Sequence, residues 1–337
     1  MQKAIPDSET NMEDFIDMTK QKSCIISYNS RGFSLAHQNF IKYLVSDTTV
    51  GSSIPILCNQ ENFVLRGNFH KIRQTLPNHH IIFNPALKTS LDKGRPKGGM
   101  FMAVPYSIKD LIEDKSPGHW RVQAITITSQ NSKTLVINTY FPCDSLTAAE
   151  SQEEVVVVLE IIKRLIETSS CNSVIWCGDI NADFVRNSTH VALVSDTLDQ
   201  LNLIKTWEKF LIDFTYIHGI NDENISTSTI DHFFCSISIH NLISDAGVIH
   251  SPENRSDHAP VYIVLSGLCV KSEAINAVAQ SARPSWQRST AEQKEDYRQA
   301  LEKKLNNVYI PSCLLNCKDT RCKNEDHYFA GVYTSYC

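Results

Sequence analysis

Asp179 and Asn181 close an apolar run, Val174-Ile175-Trp176-Cys177, that stops at Gly178. The run predicts a buried strand. Residues two apart on an extended chain point to the same side, so a carboxylate and a carboxamide arrive together at a strand end. Such a carboxylate can take a proton from water while the carboxamide orients a polar substrate. Gly-Asp-x-Asn also ends strands in ordinary turns, so chemistry here requires partners. The chain offers several in the same manner. Asn29 ends the run from Cys24, Glu61 follows Ile54 to Cys58 and the polar pair Asn59-Gln60, and Tyr140 stands near the exit of Thr134 to Phe141. Asp231 interrupts the apolar run Ile230 to Cys235, where an unpaired buried carboxylate would cost several kcal/mol. Asp257 and His258 precede the last strand of the set, Val261 to Leu265. Together these are hard oxygen ligands for Mg²⁺, a base for water and an imidazole with a carboxylate to orient it, the composition of a site that hydrolyses a phosphodiester. The sequence has no Cys or multi-His spacing for a catalytic zinc, no G-x-x-x-x-G-K-S/T loop and no G-x-S-x-G elbow.

The elements that must hold these groups follow from periodicity. Ser34 to Val45 predicts an amphipathic helix, as do Ala149 to Thr168, with Val155, Val158, Leu159, Ile162, Leu165 and Ile166 on one face, and His190 to Leu203. Further strands are predicted at His80 to Phe83, Met100 to Val104, Arg121 to Thr128 and Phe214 to Ile217. The connection from Ser129 to Lys133 is too short for a crossover helix, so its flanking strands form an antiparallel hairpin, which argues against a doubly wound parallel sheet.

The 337 residues suffice for a large core, and 42% hydrophobic with 20% charged residues fits a globular chain. No apolar run approaches the roughly 20 residues of a membrane span. The formal net charge of −5 argues against bulk attraction to nucleic acid. Two segments depart from it: Arg66 to Arg73 and Lys88 to Lys97 hold Arg66, His70, Lys71, Arg73, Lys88, Lys93, Arg95 and Lys97 against the single acid Asp92. They suit a polyanion, and equally a solvated face. Residues 1–22 are polar and acidic and are expected to be a disordered lead-in. Of the 11 cysteines, Cys24, Cys58, Cys177 and Cys235 lie singly in apolar runs, as small buried thiols do in a reducing compartment.

In chain order, Ser27-Tyr28-Asn29, Gln60-Glu61, Gly98-Gly99, Asn138-Thr139-Tyr140-Phe141-Pro142, Gly178-Asp179-Ile180-Asn181, Ser228-Thr229-Ile230-Asp231 and Ser256-Asp257-His258 resemble the motifs of the endonuclease/exonuclease/phosphatase superfamily over residues 23–266. The chain looks like the apurinic-endonuclease-like domain of non-LTR (LINE-type) retrotransposons more than like the sphingomyelinase or inositol-phosphatase branches. The resemblance implies an α/β fold of the DNase I-like kind, a four-layered sandwich of two mainly antiparallel sheets flanked by helices. It implies that Glu61 ligates Mg²⁺, or Mn²⁺ in its place, with Asn29 beside it and Asp257 as a further ligand. Asp179 would activate water, Asn181 would fix the geometry around the phosphate, and His258, oriented by Asp231, would stabilise charge on the phosphoryl oxygens. Tyr140 would hydrogen-bond the phosphate, and Thr215, Arg95, Lys97 and Ser256 would contact substrate. The implied activity is nicking of one strand of double-stranded DNA, leaving a 3′-hydroxyl to prime reverse transcription, in the nucleus. A phosphodiesterase acting on phospholipids or inositol phosphates, and an inactive DNA-binding remnant, are the competing readings.

Residues 267–337 resemble the connector that follows such domains. Ser289-Thr290-Ala291-Glu292 predicts a capping box for a helix carrying Tyr297, Leu301 and Leu305. Cys313, Cys317, Cys322 and His327 are spaced so that they could meet one Zn²⁺, although not in the zinc-knuckle pattern. The chain is expected to stop before a reverse transcriptase, whose partner would be the element RNA.

Overall fold

The computed structural model describes residues 22–46, 55–88, 94–129, 132–143, 148–219, 225–268 and 290–305. The chain divides into two units, Met1–Ser272 and Glu273–Cys337. The first runs through β1 (Lys22–Asn29), α1 (Leu35–Leu44), β2 (Ile56–Gln60), α2 (Phe69–Thr75), β3 (His79–Asn84), β4 (Met100–Pro105) and β5 (Ile112–Asp114). It continues with β6 (Val122–Ser129), β7 (Ser132–Tyr140), α3 (Ala148–Thr168), β8 (Ser173–Asp179), α4 (Thr189–Leu201) and β9 (Leu203–Lys205). Then follow β10 (Tyr216–His218), β11 (Ser226–Ser228), β12 (Asp231–Ser236), α5 (Ile237–His240), β13 (Ile243–Val248) and β14 (Val261–Ser266).

These strands form two six-stranded sheets, ordered β13-β14-β1-β2-β4-β3 and β5-β6-β7-β8-β12-β9, with β10 and β11 as a separate ribbon. In each sheet a single neighbouring pair is parallel, β1 with β2 and β7 with β8. Those are the pairs joined through a helix, α1 and α3, because a parallel connection needs a crossover. The expected hairpin is β6 with β7, in register down to Ser129 opposite Ser132.

Side-chain alternation builds the layers. Ile25 of β1, Ile56 and Cys58 of β2, Val136 of β7, Ile175 and Cys177 of β8, and Phe233 and Cys235 of β12 meet in one buried cluster between the sheets. The intervening residues face outward. Cys24, Ile26 and Tyr28 pack with Phe40, Ile41 and Leu44 of α1 and Ile72 of α2. Val174 and Trp176 pack with Val155, Val158, Leu159 and Ile162 of α3 and Val194 and Leu198 of α4. The result is the four-layered α/β sandwich of the DNase I-like fold.

At one end the core turns polar. Gln60 Nε2 donates to Asn138 Oδ1 at 2.6 Å and to Ser27 Oγ at 3.0 Å, while Asn138 Nδ2 donates to Gln123 Oε1 at 3.2 Å. All four residues are buried. Their mutual hydrogen bonds join the two sheets where an unpaired amide would be destabilising.

Two local expectations shift. Phe214 to Ile217 is not one strand: the ribbon strand begins at Tyr216. The tail helix α6 (Ala291–Leu305) carries its capping box one residue later than expected, with Thr290 Oγ1 accepting from Gln293 N–H at 3.2 Å and Gln293 Oε1 accepting from Thr290 N–H at 3.0 Å. Tyr297 on this helix is exposed. Residues 1–21, Lys93 and the Cys313, Cys317, Cys322 and His327 cluster lie outside the described residues. Among the described residues no helix is long and apolar enough to cross a membrane.

Candidate active site

The strand parity that fills the core also aims the site. Asp179 lies two residues beyond Cys177, Asn29 four beyond Ile25, Tyr140 four beyond Val136, and Asp231 two before Phe233, so all four carry the parity of the inter-sheet face. They share one row. Asp179 is opposite Tyr140 on one side and opposite Asp231 on the other, and Asn29 of the other sheet is beside Gln60. The inner faces of both sheets thus converge on the same opening.

Asn29 joins the two halves. Its Nδ2 donates to Asp179 Oδ2 at 2.7 Å and to Glu61 Oε2 at 3.1 Å. Glu61 Oε1 accepts from the Tyr140 hydroxyl at 2.7 Å. His258 Nδ1 is 2.9 Å from Asp231 Oδ2, and His258 Nε2 is 4.0 Å from Asp179 Oδ2. Asp179, Asp231 and Asn29 are at most 1% exposed and His258 is 4% exposed, so these charges act on one another through little water.

Burial raises the Asp179 carboxyl to about 7; His258 opposes the rise, and Asp231 and Glu61 add to it. Burial alone would discharge His258, but Asp231 and then Asp179 outweigh it and raise the imidazole to about 9. The Tyr140 phenol is pushed up by burial and by the Glu61 charge, so it stays a donor. The site therefore sets an imidazolium beside an Asp179 carboxylate whose basicity is raised, the form that takes a proton from water.

Backbone conformation at the strand ends is unusual. Arg31, Glu61 and Asn181 have φ of 44°, 50° and 52°, the left-handed region that non-glycine residues seldom occupy. For Asn181 this alters the geometry expected from an extended chain. The strand ends at Asp179, whose Oδ1 accepts from Asn181 N–H at 3.1 Å, and Asn181 Nδ2 donates to the Phe141 carbonyl at 2.9 Å. Gly178 makes the approach possible: its φ is 143°, and a Cβ there would collide with the Thr139 carbonyl oxygen.

The loops bring the remaining residues. Ser256 Oγ donates to the Asn29 carbonyl at 2.8 Å and accepts from His258 N–H at 3.1 Å, locking the His258 loop to β1. Thr215 is fully buried behind Asp231, its hydroxyl oxygen accepting from the N–H groups of Ile230 and Asp231, each at 3.0 Å. Asp257 pairs with Arg31. Arg95 is exposed and stacks on Phe63, with its guanidinium carbon 3.7 Å from the ring centre. Lys97 pairs with Leu87 through its backbone and its side chain is exposed. An open depression of about 380 Å³ against Ile217, His250, Asn254, Asp257 and His258 gives this side of the site access to solvent.

Glu61, Asn29 and Asp257 are hard oxygen donors of the class that Mg²⁺ and Mn²⁺ take. Among the described residues, Asp179, Asp231 and His258 also bring one donor atom each within 4.8 Å of one another. The His258 to Asp231 hydrogen bond, however, already engages two of those three side chains.

Sequence reasoning missed Tyr216, whose ring lies 4.8 Å from the His258 ring, and the Arg31 to Asp257 pair. It also missed Trp120, which meets the Tyr140 ring edge-on at 6.3 Å and backs Gly98, where a Cβ would come within 2.7 Å of the indole. The Gly98-Gly99 doublet and the adjacency of Tyr216 to Thr215 were the available signals.

No protein-family model and no curated protein sequence matches the chain. Solved structures do. An AP endonuclease from Leishmania major, LMAP, superposes with a TM-score of 0.60 at 14% identity, covering 78% of this chain and 92% of that one. The 3′ phosphatase NExo from Neisseria, bound to a product DNA hairpin, gives 0.56 at 17% identity over 72% and 98%. The endonuclease domain of TRAS1, a telomere-specific non-LTR retrotransposon, gives 0.51 at 17% identity over 72% and 98%. The chain therefore has the fold of the endonuclease/exonuclease/phosphatase superfamily.

Proposed function

We propose that this protein is a metal-dependent phosphodiesterase that nicks one strand of double-stranded DNA. The observation that carries the reading is the linked array at the mouth of the sandwich, in which Asn29 bridges Glu61 to Asp179 while Asp179 faces a His258 imidazole tethered to Asp231. Glu61, with Asn29 beside it, would hold a divalent ion, which would supply charge neutralisation at the phosphate. Asp179 takes the proton of the attacking water, and its pKa near 7 matches that task. The His258 imidazolium, kept in one orientation by Asp231, faces the developing charge on the phosphoryl oxygens through Nε2. Tyr140 holds one Glu61 oxygen and fixes where that carboxylate points. The water oxygen, attacking in line with the 3′ oxygen, forms the new P–O bond of a 5′-phosphate while the P–O3′ bond breaks, and the departing oxygen takes a proton from solvent to become a 3′-hydroxyl.

DNA as substrate is supported by the exposed cation Arg95, whose guanidinium reaches the Arg31 carbonyl at the site, and by the DNA-acting proteins that share the fold. The TRAS1 likeness supports the finer reading, that the 3′-hydroxyl primes reverse transcription. Supercoiled plasmid incubated with the full chain and Mg²⁺ or Mn²⁺ should become open circles, and EDTA should stop it. Asp179→Ala and His258→Ala should each lower the rate by at least about 10²-fold. Intact plasmid with the wild type, or nicking by both variants as fast as by the wild type, would overturn the reading.

A further inference from the structure

Arg31 stands two residues beyond Asn29, in the loop between β1 and α1, and its left-handed backbone is held from several directions. Its N–H donates to Asn29 Oδ1 at 3.1 Å and its carbonyl accepts from Arg95 Nη2 at 2.9 Å. Its guanidinium pairs with Asp257 Oδ2, yet the side chain remains 40% exposed at the rim of the site. Burial opposes that charge, while Asp257 and then Glu61 hold the guanidinium protonated. Asp257 is fixed in turn, its carbonyl accepting from Ile217 N–H at 2.9 Å, and its Oδ1 is buried without a hydrogen-bond partner. A cation is thus built between two of the three groups expected to ligate metal.

We propose that Arg31 is the site's resident cation: paired with Asp257 it cancels one carboxylate charge beside the metal position, leaves Glu61 as the carboxylate that holds the divalent ion, and presents its remaining N–H groups to the substrate phosphate. The inference rests on Glu61 as the metal carboxylate. It follows from the chemistry of both partners. A guanidinium is always charged and offers a rigid fork of donors, so one edge can bind Asp257 while another faces a phosphate oxygen. Coulomb's law makes a fixed positive charge near a divalent site lower that site's affinity, and makes removal of the charge raise it.

Two cleavage-free measurements on the full chain test this. The first counts bound Mn²⁺ by the loss of the free-ion paramagnetic resonance signal. The wild type should bind Mn²⁺, Glu61→Gln should abolish binding, and Asp257→Asn should weaken binding by about tenfold without abolishing it, because it uncovers the Arg31 charge. Arg31→Gln should tighten Mn²⁺ by about tenfold, and adding Asp257→Asn should undo the gain. The second follows fluorescence anisotropy of a short DNA duplex in EDTA at several salt concentrations. The Arg31→Gln/Asp257→Asn double variant should lower the salt slope by about 1, and Arg31→Lys should keep it.

Loss of Mn²⁺ binding in the double variant, unchanged Mn²⁺ binding in Asp257→Asn, unchanged or weakened Mn²⁺ binding in Arg31→Gln, an unchanged salt slope in the double variant, or no Mn²⁺ binding by the wild type would each overturn the proposal. Should Arg31→Gln not fold, the Asp257→Asn and Arg31→Lys arms decide it. A chain that shows the Mn²⁺ pattern and leaves plasmid intact defeats the nuclease reading alone.

Discussion

Asp231 and Asp179 face one imidazole from neighbouring strands, and distance separates their roles. Asp231 is within hydrogen-bond reach of Nδ1 at 2.9 Å, whereas Asp179 stands 4.0 Å from Nε2 and keeps room for a third party. The His258 pair carries a pH signature. The imidazole is raised from 6.5 to about 9 in the folded protein, so its contribution to stability is fully present below 6.5 and is lost as pH rises through 9. Asp179 is also raised, but from 3.8 to about 7, and its contribution falls mainly below that window. Melting midpoints measured in EDTA should therefore decline between pH 6.5 and 9 for the wild type, and Asp231→Asn, which removes the first of the charges raising His258, should flatten the decline. Parallel curves would mean that Asp231 does not hold the His258 charge in the fold. Asp231 was legible in the sequence because a carboxylate inside an apolar run must be partnered. Arg31 was not, since its pairing with Asp257 spans 226 residues and no local pattern encodes it.

At the scale of elements, one buried arginine ties a helix to a catalytic strand. Arg121, at the start of β6, donates through Nε and Nη2 to the two Glu154 oxygens at 2.8 and 3.1 Å and through Nη1 to the Tyr140 carbonyl at 3.1 Å. Its guanidinium carbon lies 3.9 Å from the Trp120 ring centre. Glu154→Ala strands a charge whose side chain is 6% exposed and should cost about 3–5 kcal/mol in urea unfolding, while Glu154→Gln, which keeps acceptor geometry in part, should cost less. Gly178→Ala attacks the β7/β8 pair where Thr139 and Gly178 are in register, and should destabilise by about 3 kcal/mol or more, against little effect at Gly67, around which there is open space. An alanine at 178 that melts with the wild type would show that the strands can separate there without loss. Helix α3 was legible from its apolar stripe and the β6/β7 hairpin from its short connection. The ribbon was misjudged because Thr215 spends its N–H on the Ser228 carbonyl and its carbonyl on the Ala259 N–H, two contacts distant in sequence.

Over the whole first unit, the order of strands makes the two ends of the fold interdependent. β14 lies between β13 and β1, pairing Lys22 with Ser266 at one end and Ser27 with Val261 at the other. Its Val261, Ile263 and Leu265 fill the cluster between the sheets, and the chain immediately before it carries Asp257 and His258. Removing β14 would leave β1 with one open edge, uncover the inner face of the opposite sheet and free the loop that Ser256 locks to Asn29. The parity rule that delivers Asp179 and Asn29 to one opening holds only while both sheets keep their register, so core and site should fail together. A chain ended after Ser272 keeps all of β14, and one ended after Pro260 loses it. The longer chain should unfold in one cooperative transition and nick plasmid in Mg²⁺; the shorter should show no cooperative melt, expose apolar surface to a hydrophobic dye and leave plasmid intact. A cooperative transition in the shorter chain would mean that the remaining strands close the sandwich without β14, and the dependence of the site on sheet register would then have to be abandoned.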